Sequence, residues 1–319
     1  MTSSFSKSSS RILHPLRSKW AGSIRFLSSN QNPKRRVLIT GGTDGIGKQA
    51  ALKFAAQKEY EITISGRSQQ KADEVIEMCQ EINKKVVIEF IPADLTKHEK
   101  VVKFANTVAQ KQFDICILNA GVLRPEPAAT VDGRDATIMT NLISAYMIAN
   151  RVIEKRNEAA KLHFVLTTSV LVKFLGSSLL GNRFFNPSKV SDWEQAVAPG
   201  ALSDARKYAI SKIGMSILSS SISHKGFPNV TATSVHPGTV YTNMMSNLPA
   251  RQQLYIKLLR RFTTPLDVAG QNLLHAAQNP LGIGKYYLGE EESNLPKIDY
   301  SSETIETFER FFEQYKISN

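Results

Sequence analysis

The chain has 319 residues and a formal net charge of +12, with 42% hydrophobic and 21% charged side chains, a composition that excludes wholesale disorder and fibrous repeats. Eight Lys or Arg, ten Ser and no Asp or Glu lie in the first 36 residues, so the other 283 carry 32 basic and 28 acidic side chains. That balance is too even for the basic stripe of a nucleic-acid-binding body. No apolar run reaches the roughly 18 residues that a membrane-spanning helix needs. Cys79 and Cys116 make neither a disulfide framework nor a metal-ligand spacing, so no metal site and a reducing compartment are expected.

Between Arg11 and Leu27 the apolar Leu13, Leu16, Trp20, Ile24 and Leu27 recur at intervals of three and four, which lines them along one helix face. Arg17, Lys19 and Arg25 fall between them. An amphipathic, Arg- and Ser-rich, acid-free start has the composition of a mitochondrial transit peptide, and Arg25-Phe26-Leu27-Ser28 resembles a matrix-processing site. The expectation is a transit peptide over residues 1–29, a linker over 30–35 and a folded body over 36–319, with a mitochondrial location. A disordered basic tail or a helix lying on an anionic membrane surface is the alternative, which would leave the protein at the endoplasmic reticulum membrane or in the cytoplasm. Pro15, which interrupts the helix, favours that alternative.

From Arg36 onward short β-branched runs alternate with helical spacing. Strands are expected at Val37–Thr40, Glu61–Ser65, Val86–Ile91, Asp114–Leu118, His163–Thr168 and Val230–Val235, apolar enough to be buried on both faces. Helices are expected at Gly47–Gln57, Gln69–Ile82, Glu99–Lys111, Asp132–Arg151 and Ser203–Ser223. This alternation predicts an α/β fold, a doubly wound parallel sheet of Rossmann type in a single domain. Ligands in such sheets sit beyond the carboxyl ends of the strands.

Thr40-Gly41-Gly42-Thr43-Asp44-Gly45-Ile46-Gly47 follows the first strand and opens the first helix. Gly41, Gly45 and Gly47 suit a tight turn, a close approach of backbone N–H groups to a pyrophosphate and close helix packing, with the helix amino terminus facing the anion. Thr43 and Ile46 belong to the same turn. A carboxylate at the end of the second strand would hold the ribose of NAD; Ser65-Gly66-Arg67-Ser68 has none. Arg67 instead offers paired donors for a 2′-phosphate, unless it is a solvated surface residue, and the cofactor predicted is NADP(H). Asp44 is an awkward neighbour for phosphates. Asp94 and Leu95, after the third strand, cover an adenine in one reading and make a turn in the other.

Tyr208 and Lys212 stand four apart on an expected helix, so both project from one face. A neighbouring ammonium favours the phenolate and lowers a hydroxyl that otherwise titrates near 10, which suits acid/base chemistry. Alone, such a pair is more often an ordinary surface contact. Here it accompanies the glycine turn, Asn119-Ala120-Gly121 after the fourth strand and Ser169 after the fifth.

Together, T-G-x-x-x-G-I-G, N-A-G, the serine and Y-x-x-x-K resemble the short-chain dehydrogenase/reductase family across nearly all of residues 36–290. The resemblance implies that Tyr208 exchanges the proton with the substrate oxygen. Lys212 would lower its pKa and hold the nicotinamide ribose, Ser169 would orient the carbonyl, and Asn141 would assist a proton relay. Asn119, with Ala120 and Gly121, would steady the cofactor, and Pro237, Gly238, Val240 and Thr242 would border the nicotinamide. The alternatives for Asn141, Ser169 and Pro237-Gly238 are a main-chain-bonded amide, a strand-end cap and a turn. The glycine turn, Asp132-Gly133-Arg134 leading to Asn141, and the tail after Thr264-Pro265 look like the branch of retinol dehydrogenases, the WW-domain oxidoreductase and the X-linked dehydrogenase/reductase. That branch is mostly NADP-using and acts on lipophilic alcohols, aldehydes and ketones. No WW domain precedes the turn, and the basic leader stands where several relatives have a hydrophobic anchor.

Phe174, Leu175, Leu179, Leu180, Phe184, Phe185 and Trp193 suggest an apolar flap over a hydrophobic substrate, or packing within the protein or on a second subunit. Leu254–Phe262 reads as a basic amphipathic lid, as a membrane-touching helix or, better, as a solvated charged face. The expected activity is hydride transfer between nicotinamide and a lipophilic carbonyl or alcohol, without nucleic acid or a transmembrane helix, leaving peripheral membrane contact and homo-oligomerisation open. The rival is a catalytically weak NADP(H)-binding redox sensor or assembly protein on the same fold. A sugar-nucleotide epimerase is disfavoured by the spacing of the glycine turn.

Overall fold

In a computed structural model, the described residues are 33–123, 125, 127–130, 132–169, 185–240, 263–295 and 300–318. The leader, Thr242, five of the seven expected flap residues (Phe174, Leu175, Leu179, Leu180 and Phe184) and the 254–262 stretch lie outside them. Six parallel strands run in the order expected of a doubly wound sheet: β1 (Arg35–Ile39), β2 (Tyr60–Gly66), β3 (Val87–Pro92), β4 (Ile115–Leu118), β5 (Leu162–Thr167) and β6 (Val230–His236). A seventh, β7 (Lys285–Leu288), joins parallel to β6, and β8 (Glu291–Asn294) returns antiparallel to close the order β3-β2-β1-β4-β5-β6-β7-β8. Every residue of β4 and β5 is buried, as strands covered by helices on both faces must be.

The crossovers supply that cover. Helix α1 (Gly45–Ala55) and α2 (Gln69–Ile82) face the core through Ala50, Ala51, Phe54, Ala72 and Val75. On the opposite face lies α3 (His98–Ala109), followed by a continuous helical run of three parts: α4 (Ala136–Ile138), a π-helical turn (Met139–Ile143) and α5 (Ser144–Lys155). The sequence spacing placed one helix over Asp132–Arg151. Its first turn is not helical, because Gly133 has a φ of +78°, which suits glycine and breaks a right-handed helix, and Asp135 caps α4 through Thr137 and Ile138 N–H groups. The described residues of 128–136 instead form a small hairpin, with a bridge between Ala129 and Asp135.

Two further helices, α6 (Val190–Val197) and α7 (Asp204–His224), lie before β6, and α8 (Leu266–Gln278) and α9 (Ser302–Phe312) follow it. Of these, only α7 was anticipated. α9 buries Phe308 and Phe312 against Trp193 and Tyr146, fixing its amphipathic face to α5 and α6. Phe185 and Trp193 stack edge to face at 4.8 Å and are buried within this cluster, so these two expected flap residues belong to the core. Burying an aromatic side chain contributes about 1.5–3 kcal/mol, and an edge-to-face pair about 0.5–1.5 more, which outweighs exposing them on a loop.

One strand residue carries a pH signature. His163, in β5, is buried between Thr231 Oγ1 (2.8 Å) and the Ala276 carbonyl (3.1 Å), and loss of solvation holds its imidazole down at about 4. The unfolded chain, titrating near 6.5, binds more protons between these values, so stability is lost as pH falls from 6.5 toward 4. The full displacement is worth roughly 3 kcal/mol. Urea midpoints measured at pH 7 and pH 5 should separate by less in His163→Gln than in wild type; an equal separation would remove His163 as a cause.

Candidate active site

At the carboxyl edge of the sheet, where the chain turns outward on either side of β1 and β4, lies a cavity of about 1040 Å³. It sits at the switch in strand order where such sheets bind ligands. Its floor is the glycine turn. Gly41 and Gly45 have φ of +67° and +53°, which only glycine adopts freely. Gly41, Thr43, Gly45 and Ile46 line the cavity. Gly47 lies behind the turn: a Cβ there would collide with the Gly41 carbonyl oxygen and lie 2.7 Å from Asn119 Nδ2. The third glycine therefore seats the helix and does not line the wall.

Asn119 locks this turn to β4. Its Nδ2 donates to the Thr40 carbonyl (3.1 Å), and the backbone N–H groups of Asn119 and Ala120 donate to Thr40 Oγ1 at 3.0 and 3.1 Å. Asp44, the doubtful neighbour of a phosphate, is turned away from that task. One carboxylate oxygen caps α1 at Gly45 N–H (2.8 Å) and the other pairs with Lys71 at 2.5 Å.

At the far end of β2, Arg67 is exposed on the cavity wall, and no hydrogen bond or ion pair holds it to another described residue. Ser65 Oγ beside it is fully buried and unpartnered. Gly66 leaves room for Thr43, whose hydroxyl a Cβ would strike. Asp94 lines the wall but spends one oxygen on a turn with Thr96 N–H and Oγ1 (3.2 and 2.7 Å); Leu95 packs next to it, buried.

Across the cavity, α7 presents Tyr208 and Lys212, with β5 presenting Ser169 just beyond its end. Lys212 Nζ lies 5.8 Å from the Tyr208 ring centroid and donates to the Thr167 carbonyl at 2.9 Å. Asn141, on the π-helical turn, is buried; its Oδ1 accepts from Val122 N–H (2.7 Å), while Nδ2 donates to the Val122 carbonyl (3.0 Å) and to Ser211 Oγ (3.1 Å). Ser211 in turn donates to the Tyr208 carbonyl at 2.7 Å. Asn141 Oδ1 and Lys212 Nζ both approach the open face of Gly121, at 3.4 and 3.6 Å from where a Cβ would stand. The main-chain reading of Asn141 thus describes its side chain, and those bonds are what set the α4–α5 run against α7.

The expected lowering of the phenol by its lysine is not what this arrangement produces. Withdrawal from water pushes Tyr208 up to about 12 and Lys212 down to about 8, because loss of solvation disfavours the charged form of each and the ammonium is directed at Thr167. Tyr208 is therefore a protonated donor at neutral pH.

Pro237, Gly238 and Val240 border the same cavity, with the Pro237 carbonyl accepting from Asn272 Nδ2 (2.9 Å) and Gly238 at φ +112° against Thr264. The sequence reading missed His236, which precedes them. It is buried on the wall, and burial together with the charge of Lys212 holds it neutral, at about 4. It also missed Thr140 and Thr168, two cavity-lining hydroxyls that are buried without a partner. Such groups are costly unless a ligand or water satisfies them. With the open face of Gly121 and the unpartnered Arg67, they fit a cavity shaped to hold a phosphate-bearing dinucleotide.

Residues 35–176 match the family model described as short chain dehydrogenase. The chain is 25% identical to human polyprenol dehydrogenase over 84% of its own length and 81% of that protein's. It is 26% identical to human retinol dehydrogenase 11 over 78% and 74%. Among solved structures it is similar to an uncharacterized protein of Mycobacterium paratuberculosis, with a TM-score of 0.64 at 20% identity over 89% of this chain and 93% of the other, a likeness of fold.

The packing behind the turn makes Gly47→Ala informative. The added methyl should force α1 away from Gly41 and Asn119, lowering stability by about 1–3 kcal/mol and weakening dinucleotide binding together with it. Urea unfolding and fluorescence titration on the same variant check both; an unaffected midpoint would show that the turn relaxes freely.

Proposed function

We propose that this chain, which belongs to the short-chain dehydrogenase/reductase family and so is an oxidoreductase with a nicotinamide cofactor, uses NADP(H) to interconvert a lipophilic alcohol with its aldehyde or ketone, of retinoid, steroid or polyprenoid type. The observation that carries the proposal is the convergence of Ser169, Tyr208 and Lys212 on one cavity whose floor is the glycine turn, with Asn141 buried behind the wall and bonded to Ser211, which donates to the Tyr208 carbonyl. A protein that only bound the cofactor would need neither the phenol nor its ammonium neighbour.

Bound in this cavity, the nicotinamide would supply or accept the hydride. The chain's own residues do the rest. Gly41, Thr43, Gly45 and Ile46 would hold the phosphates, and Arg67 would be the counter-charge for a 2′-phosphate. Tyr208, kept protonated by its surroundings, donates its proton to the carbonyl oxygen during reduction, and the Ser169 hydroxyl orients that oxygen. Lys212, 5.8 Å from the Tyr208 ring centroid, places a positive charge beside the phenol and would hold a ribose hydroxyl of the nicotinamide. Val122, Leu123, Pro125, Pro127, Ala129 and Val240 give the wall near these groups an apolar character, which suits a hydrophobic substrate. The names of the polyprenol and retinol relatives agree with that choice.

Tyr208→Phe keeps the ring and removes the proton. Full-length protein assayed for NADPH oxidation with retinal, a polyprenal, a steroid ketone and short aldehydes should turn over the long substrates best, and this variant should lose roughly a hundred- to ten-thousand-fold in kcat while still binding cofactor. Wild-type binding without turnover of any carbonyl would favour the sensor or assembly role.

Cofactor choice rests on Arg67. A hydrogen bond between charged groups contributes about 1.5–3 kcal/mol, so NADPH should bind roughly ten- to more than a hundredfold tighter than NADH. Because a side chain at position 66 would strike Thr43, the reversing carboxylate belongs at position 67, and Arg67→Asp should prefer NADH. Nicotinamide fluorescence titrations decide this; equal affinities in wild type would defeat the choice of NADP(H), and a preference for NADPH unchanged in Arg67→Asp would leave Lys71 or another base in charge.

A further inference from the structure

The first buried side chain of α7 is Lys207, the residue before Tyr208. Its ammonium lies 2.5 Å from Asp135 Oδ2, with each side chain only 4% exposed. The other oxygen of Asp135 accepts from the N–H groups of Thr137 and Ile138 at 2.9 and 3.0 Å. Both oxygens are committed, so the carboxylate has one orientation. Its own N–H donates to the Val197 carbonyl (2.8 Å), and Ala136 N–H donates to the Ala128 carbonyl (2.9 Å). Asp135 thus closes the 128–136 hairpin, whose Ala129, Thr130 and Ala136 face the cavity, and opens the helical run that carries Asn141. Arg134, one residue earlier, pairs with Asp132 and stands over the Tyr315 ring at 5.2 Å, which anchors the hairpin from outside.

Stability does not account for a pair in this place. Withdrawing two charges from water is costly, and apolar side chains of similar volume often serve as well or better. What the pair adds is a single register: a slip of either element strands a buried charge. We propose that Asp135 and Lys207 form a positioning pair that sets Tyr208 against the cavity wall built by the 128–136 hairpin, acting through Tyr208 without touching the reacting atoms. This rests on the assignment of Tyr208 as the acid/base group.

The double variant Asp135→Asn/Lys207→Met removes both charges while keeping the volume and the cap on α4, so no unpaired charge is left buried. In full-length protein labelled at the tyrosine Cζ carbon, the Tyr208 resonance is identified by its disappearance in Tyr208→Phe. In the double variant that resonance should move and titrate at a different pH. Cofactor affinity and substrate KM should be unchanged, and kcat should fall roughly ten- to a hundredfold, the scale of a small misplacement of a reacting group. Asp135→Asn alone, which keeps the cap on α4 and removes the carboxylate facing Lys207, gives a second reading of the same signal. An unmoved Tyr208 resonance in the folded double variant overturns the positioning role, whether or not the enzyme turns over. A wild type that binds NADPH but reduces no carbonyl defeats the proposed function instead, and the resonance still decides on the pair.

Discussion

Thr40, at the end of β1, accepts three hydrogen bonds from the Asn119-Ala120 corner of β4 and returns one from its hydroxyl to the Ile117 carbonyl. β1 and β4 are the neighbours between which the strand order reverses, so their ends diverge and a crevice must open there. Without this set of bonds the crevice would have a mobile floor, because the backbone groups just beyond a parallel strand have no ladder partner left. With it, Gly41 and Gly47 are held in contact through a carbonyl oxygen that leaves no room for a side chain, and the amino end of α1 is aimed across the opening. The rest of the site is built outward from this corner. Asn119 Oδ1 faces Thr167 Oγ1 at 3.5 Å, Thr167 receives Lys212, and Lys212 lies over Tyr208.

The opposite wall is fixed by a different means. There the ladder has ended, and helices α5 and α7 meet through a π-helical turn, an amide and a hydroxyl. Gly214 lets α7 approach so closely that a Cβ would strike Leu142. The extra residue of the π-helical turn brings Asn141 inward, where its amide closes on both polar groups of Val122. A π-helical turn is a local concession in hydrogen-bond geometry, and it recurs where a helix must present a residue that regular winding would misplace. The Asp135–Lys207 pair lies at the start of the same two elements. Helix-to-helix register on this side thus depends on a few directional polar contacts in an apolar setting, where each bond is stronger and each unpaired group more expensive than in water.

The parallel sheet, its first five crossovers and the glycine turn were legible because they rest on local rules: period, β-branching, and glycine where φ must be positive. β7, β8, α6, α8 and α9 were not. Lys285–Leu288 and Glu291–Asn294 are only four residues each, too short for a period, and α9 owes its place to Phe308 and Phe312 finding Trp193, a contact across the chain. Motif order also singled out Asn141, Ser169, Tyr208 and Lys212 as candidates. It could not give the orientation of Lys212 toward Thr167, the turning of Asp44 onto Lys71, or the burial of Thr140 and Thr168 without partners, since each depends on what tertiary packing brings near. Ser211 and His236 had a signal in their adjacency to Lys212 and Pro237, which a reading by motif letters passes over.

The electrostatics of the cavity follow from that packing. Tyr208, Lys212 and His236 line one cavity, and each is displaced toward its neutral form by loss of solvation: the phenol upward, the ammonium and the imidazole downward. A neutral phenol is a donor, which on the proposed function gives its proton to a carbonyl oxygen. Taking one from an alcohol requires additional positive charge near the ring to stabilise the phenolate. The oxidised nicotinamide carries such a charge and the reduced form does not. On the proposed function the same half-buried tyrosine would serve both directions, with the charge of the bound cofactor selecting between them.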